Sequence, residues 1–143
     1  MVNAALRPAQ PPASADAGGV NAPLFRRLLE LQSADRRAVI LDLGPARTET
    51  VALFGQFRCR LEFTDLGDCC EQLNAETDPL QQQQMVESLL PRRRQEAADI
   101  VLCWDILNYL QRPALKTLMA QVAIRSRPGT LAHALIAYST PRM

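Results

Sequence analysis

The residues best placed to do chemistry stand at the ends of two short apolar runs. Gly44 follows Ala38-Val39-Ile40-Leu41-Asp42-Leu43, and Asp105 follows Asp99-Ile100-Val101-Leu102-Cys103-Trp104. Runs that are apolar at nearly every position and closed by polar or turn-forming residues read as strands buried on both faces of a helix-covered parallel sheet. In open sheets of that kind, ligands bind beyond the carboxyl ends of the strands. Gly44 offers such a ligand close approach to the backbone, since no Cβ stands in the way, and Asp105 offers a carboxylate. Other reactive types are sparse. The single histidine, His133, falls inside a later apolar run, where a hydrogen-bonded core imidazole is expected. Cys103 is in a buried strand and should be inert. Cys59, Cys69 and Cys70 lack the paired CxxC spacing of a zinc site, and no metal is expected.

The elements that must position these residues are legible in the pattern. Residues 1–22 are rich in alanine and proline, with few large apolar side chains, and read as a disordered amino-terminal tail. From Pro23 onward Leu24, Phe25, Leu28, Leu29 and Leu31 gather on one helical face, and this helix is expected to cover the sheet. The strand from Ala38 to Leu43 leads through Gly44-Pro45-Ala46-Arg47 to a short helix capped by Thr48 and running to about Phe57. A second strand spans residues 60–66. Helix follows from Cys69 to Leu90, with Gln81 to Gln84 on a solvated face, and Pro91 ends it. After the strand from Asp99 to Cys103 comes a loop and a short turn. Pro113 then opens an amphipathic helix using Leu115, Leu118, Met119, Val122 and Ile124; Pro128-Gly129 stop it, and Leu131 to Tyr138 form the last strand. The order implies an α/β fold, a three-layer sandwich with right-handed crossovers over residues 23–143.

Composition narrows the partners. The 143 residues are 48% hydrophobic, enough for one core, and 16 basic against 15 acidic residues leave a formal charge of +1. No global field draws in nucleic acid or an anionic membrane. The Arg92-Arg93-Arg94 cluster is the one local basic patch, read either as a solvated loop or as a contact for a phosphate or acidic partner. No continuous apolar h-region marks a secretory signal, and no stretch approaches the ~18 apolar residues of a membrane span. A cytoplasmic setting with reduced thiols is expected.

The strand–Gly44 turn, the strand ending in Asp65, and the stretch from Asp99 through Pro128-Gly129-Thr130 to the last strand together resemble class I S-adenosylmethionine-dependent methyltransferases. The last stretch is the more specific, of the form D-h-V-h-x-x-D-h-L-x-x-L followed by a helix and R-P-G-T. The resemblance implies a Rossmann-like methyltransferase fold with a mostly parallel sheet, and S-adenosylmethionine as cofactor, lying across the strand ends. It places Asp42, Gly44, Asp65 and Trp104 at the cofactor, Asp105 as the catalytic base, and Asn108 and Tyr109 at the substrate. Asp65 follows Gly44 at close to the ~20-residue spacing of an acid that accepts from ribose hydroxyls, and its other reading is a helix cap. Asp42 would order the loop amides. The chain departs from the family in keeping only Gly44 of G-x-G-x-G, in showing no third strand between Asp65 and Asp99, and in leaving no sequence for the last two strands. Two functions follow as expectations: a methyltransferase, or the amino-terminal part of one, with an unidentified methyl acceptor; or a catalytically inactive methyltransferase-like domain that binds or scaffolds through protein association or as a homo-oligomer.

Overall fold

The computed structural model describes residues 14–92 and 96–137, of which residues 14–22 by backbone alone. The chain divides into two compact units, Met1–Arg36 and Arg37–Met143. In the first, helix α1 runs Ser14–Ser33 with Pro23 in its interior rather than at its start. Its end is closed by Asp35, which takes the left-handed conformation at φ 55° while the Arg36 amide reaches back to the Leu31 carbonyl at 3.0 Å. Asp tolerates that region better than most residues, so it serves where glycine is usual. The earlier part of the expected tail, residues 1–13, lies outside the described residues.

The second unit is an α/β fold built on one four-stranded, all-parallel sheet of order β2-β1-β3-β4. Strand β1 (Ala38–Asp42) is buried at every position and pairs on one side with β2 (Cys59–Phe63), Ala38 opposite Cys59 and Asp42 opposite Phe63. On its other side it pairs with β3 (Ala98–Trp104), Ile40 opposite Ile100 and Asp42 opposite Leu102. Parallel neighbours cannot be joined by tight turns, so helices fill the crossovers. These are α2 (Thr48–Phe54), α3 (Cys70–Ala75), α4 (Pro79–Leu89) and α5 (Arg112–Ile124). Leu41, Leu43, Val101 and Cys103 from one face of the sheet form a single cluster with Leu73, Val86, Leu118 and Val122 from α3, α4 and α5. The arrangement is compatible with a Rossmann-like fold.

Several expected boundaries shift for identifiable reasons. The single helix expected from Cys69 to Leu90 is broken at residues 76–78, because Pro79 lacks an amide donor and suits only a first turn. Asp78 caps that new start, accepting from the Leu80 amide at 3.1 Å. Thr48 is not the cap of α2: Arg47 holds that position with no side-chain bond. Gln82, expected in a solvated face, is buried. Its amide donates to the Leu73 carbonyl at 2.9 Å and its carbonyl accepts from the Thr117 hydroxyl at 2.9 Å.

Pro128-Gly129 do not follow a helix end but lie within β4 (Ser126–Ala134), which therefore begins earlier than the sequence pattern indicates. Between the pairs Ala98–Ser126 and Ile100–Leu131 the ladder is irregular, and β4 accommodates residues 127–130 where β3 has only Asp99. Gly129 takes φ 91° there, and Pro128, without an amide to give, sits where no ladder bond is required. The Thr130 hydroxyl stitches the bulge, donating to the Ala98 carbonyl at 2.7 Å and accepting from the Arg127 amide at 2.9 Å. Helix α5 ends as charge arguments suggest, with the Arg125 guanidinium donating to the Gln121 carbonyl at 2.9 Å. β4 also ends sooner than expected, at Ala134, with residues 135–137 outside the ladder; Tyr138 lies outside the described residues.

Asp99 ties the amino-terminal end of the sheet together. It is 3% exposed; one carboxylate oxygen accepts from the Val39 amide at 2.9 Å and the other pairs with Arg127 at 3.4 Å, so it links β1, β3 and β4. Asp99→Ala strands the Val39 amide and removes the carboxylate partner of Arg127, whose guanidinium keeps its bond to the Ala97 carbonyl at 2.9 Å. The expected result is a loss of about 2 kcal/mol in urea unfolding with an unchanged slope, as for a buried amide left without its acceptor.

Candidate functional site

The chain leaves β1 toward β2 on one side and returns by a crossover to β3 on the other. The carboxyl ends of β1 and β3 thus flank a topological switch point, the place where open α/β sheets hold ligands. Three of the expected site residues meet there: Asp42, Gly44 and Trp104.

Their arrangement is set by a second irregularity. Leu102 pairs with His133 and Trp104 with Ala134, so Cys103 has no counterpart on β4. Trp104 leaves the strand at φ 53°, a conformation that costs a bulky side chain about 1 kcal/mol or more. Its carbonyl is held by the Leu135 amide at 2.7 Å. The indole turns back over the end of β1, and Nε1 donates to Asp42 Oδ1 at 2.8 Å. The same oxygen accepts the Gly44 amide at 2.8 Å. Gly44 is needed for space rather than for backbone freedom, since a Cβ there would stand 3.2 Å from Trp104 Cδ1 and 3.3 Å from Asp42 Oδ1. Around the indole, the Arg47 guanidinium carbon lies 5.8 Å from the ring centroid, and His133 meets it edge-on, centroids 5.8 Å apart and planes at 83°.

Asp42 is fully buried, and its Oδ2 has no hydrogen-bond partner among the described residues. Burial pushes its carboxyl up, while the Gly44 amide, the indole N–H and the Arg47 charge pull it back. Cys103, buried beside this carboxylate, has its thiol pushed up to about 11, as befits an inert core cysteine. Burial holds His133 below its ordinary 6.5. It is half-buried against the indole rather than in the core, a position its place in an apolar run did not reveal.

The turn after β1 is sewn shut on its other side as well. The Asp65 amide donates to the Gly44 carbonyl at 3.0 Å and the Leu66 amide to the Leu43 carbonyl at 2.8 Å. Asp65 takes φ 50° and makes no side-chain cap. Its carboxylate is exposed, outside the lining of the nearby cavity. That cavity, about 180 Å³, lies between Gly44, Pro45, Arg47 and Gly67 on one side and Trp104, Asp105, Ile106 and Tyr109 on the other. Asp105 and Tyr109 therefore share it with Gly44 and Trp104, whereas Asn108 is used elsewhere. Its amide donates to the Leu135 carbonyl at 2.8 Å and its oxygen accepts from the Ala137 amide at 3.0 Å, clamping the turn after β3 to the segment after β4. Arg47, which in the sequence stands in the turn after Gly44 where the family pattern has glycines, lines the same cavity and faces the indole. Among the described residues no cluster of His, Cys, Asp or Glu could hold a metal, and no helix is long and apolar enough to cross a membrane.

S-adenosylmethionine does not fit these residues as they are folded. The unsubstituted side of Gly44 is occupied by the indole, its amide faces Asp42, and the remaining cavity is smaller than the ~300 Å³ at which small-molecule sites begin. No family model, curated protein or solved structure matches the chain.

Two measurements check the site. Gly44→Ala should cost about 1 kcal/mol through overpacking and shift the emission of Trp104, the one tryptophan in the chain, to the red as the indole is displaced. The lowered value for His133 means that the folded state binds its proton less readily than the unfolded chain. Stability from this group is present above pH 6.5 and is lost as pH falls through the lower folded value. Proton NMR of the single imidazole should give a midpoint below 6.5, with Trp104 emission changing over the same interval, and His133→Gln should abolish that transition.

Proposed function

We propose that the chain is a methyltransferase-like α/β domain that binds rather than catalyses, and that it acts through protein association. One observation carries this reading: the indole of Trp104 rests on Gly44 and bonds to Asp42, so with the indole in place the acid and the glycine that would serve a cofactor are occupied by the protein's own side chain. The sheet order and the residues shared with the family pattern support methyltransferase ancestry. Asp105, the residue best suited to act as a base, is exposed and lines only the small cavity beside the plug.

The sheet itself supports association. β4 stands at the edge of the strand order, its residues are half-buried or exposed, and Leu135 and Ile136 beyond it are 49% and 57% exposed. An edge of this kind recruits further strands unless it is covered. A second copy is the partner this reading names, because a formal charge of +1 creates little repulsion between copies and a twofold pairing needs no surface but its own.

Titration calorimetry with S-adenosylmethionine and its demethylated product should give no saturable heat at millimolar ligand, and saturable binding of either would overturn the non-catalytic reading. Size exclusion with light scattering should give the mass of a dimer at high micromolar protein. A strict monomer there contradicts association with itself.

A further inference from the structure

The plug at the switch point describes what could replace it. A flat fused ring lies on an unsubstituted α-carbon, gives an N–H to Asp42 Oδ1 at 2.8 Å and has a guanidinium 5.8 Å from its centroid. Asp42 is left with a buried second oxygen, Oδ2, that accepts from nothing among the described residues. A buried carboxylate oxygen without a donor is uncommon enough to call for an explanation. The indole has one N–H and satisfies one oxygen. A fused five- and six-membered ring with two adjacent N–H donors on one edge would satisfy both, in the fork geometry that makes bidentate pairs strong. The edge of guanine that carries the ring N1–H and the exocyclic 2-amino group has that form.

The indole is also placed to leave. Trp104 holds its position from a left-handed backbone at an irregularity of β3, is only half-buried, and borders a cavity of about 180 Å³ that would join the vacated space. We propose that the space over Gly44 filled by the Trp104 indole is a gated binding site for a guanine-type base, which enters as the indole swings out and takes both oxygens of Asp42. Arg47 then faces the base as it now faces the indole. This goes beyond the non-catalytic reading and does not depend on it, since guanosine and S-adenosylmethionine are separate ligands with separate outcomes.

The chain's only tryptophan makes the gate observable. Guanosine titrated into the full chain should move Trp104 emission to the red with a saturable dependence, and adenosine, which lacks the two-donor edge, should act at least tenfold more weakly. Trp104→Ala removes the competing occupant and should tighten guanosine at least tenfold in calorimetry, because affinity is reduced by the fraction of molecules in which the site is open. Asp42→Asn in the Trp104→Ala background should abolish that binding while circular dichroism stays native. The proposal is overturned if folded Trp104→Ala binds no guanosine, or binds guanosine and adenosine equally. Should the variant not fold, the native chain decides alone, and the absence of a saturable emission shift up to millimolar guanosine overturns it.

Discussion

The hydrogen bond from the Trp104 indole to Asp42 is the interaction on which the carboxyl end of the sheet depends. Asp42 is a carboxylate in the most buried strand of the fold, and a charge placed there costs several kcal/mol unless donors compensate it. Two donors do so, the Gly44 amide from the turn that follows and the indole from β3. Each choice constrains another. The indole can reach only because β3 is irregular at Cys103 and Trp104 adopts a left-handed backbone, and it can settle only because residue 44 has no Cβ. The same contacts close the crevice that the strand order would otherwise leave for a ligand.

A second buried carboxylate answers it at the opposite end. Asp99 accepts from the Val39 amide and pairs with Arg127, joining three strands where the β3–β4 ladder is interrupted. Asp99 stands beside the β3–β4 irregularity and Asp42 at the end of the regularly paired β1, and each accepts a backbone amide, that of Val39 or of Gly44. At the far edge, Arg60 of β2 pairs with Glu62 at 2.9 Å and with Glu96 at 3.2 Å. The pair with Glu96, which is exposed, adds little stability, and both pairs keep charge on an edge that would otherwise invite pairing.

Much of this was legible in the sequence, and what was not has a common cause. β1 and β3 are nearly continuous apolar runs, and a strand buried on both faces leaves that mark. Pro91 and Pro113 bound their helices as rigid residues lacking an amide should. Pro128-Gly129 carried the same local signal and meant something else, because a bulge in an edge strand tolerates the residues that stop a helix. Gln82 looks solvated until Thr117, distant in sequence, supplies its partner. At the site, the meeting of Asp42, Gly44 and Trp104 follows from strand ends alone. That Trp104 fills the turn instead of lining it follows from one ladder irregularity and one positive φ, neither of which has a signature in the residue types. Asn108 likewise appeared available for a ligand, and is spent on the chain segment after β4.

The central claim is that the indole sits on Gly44 with its N–H committed to Asp42, and NMR of the single indole group tests it most directly. The account predicts a nuclear Overhauser contact between Trp104 Hδ1 and the Gly44 Hα protons, together with an indole N–H that exchanges with solvent far more slowly than in a free peptide. An indole N–H exchanging at the free-peptide rate, with no contact to Gly44, would contradict it.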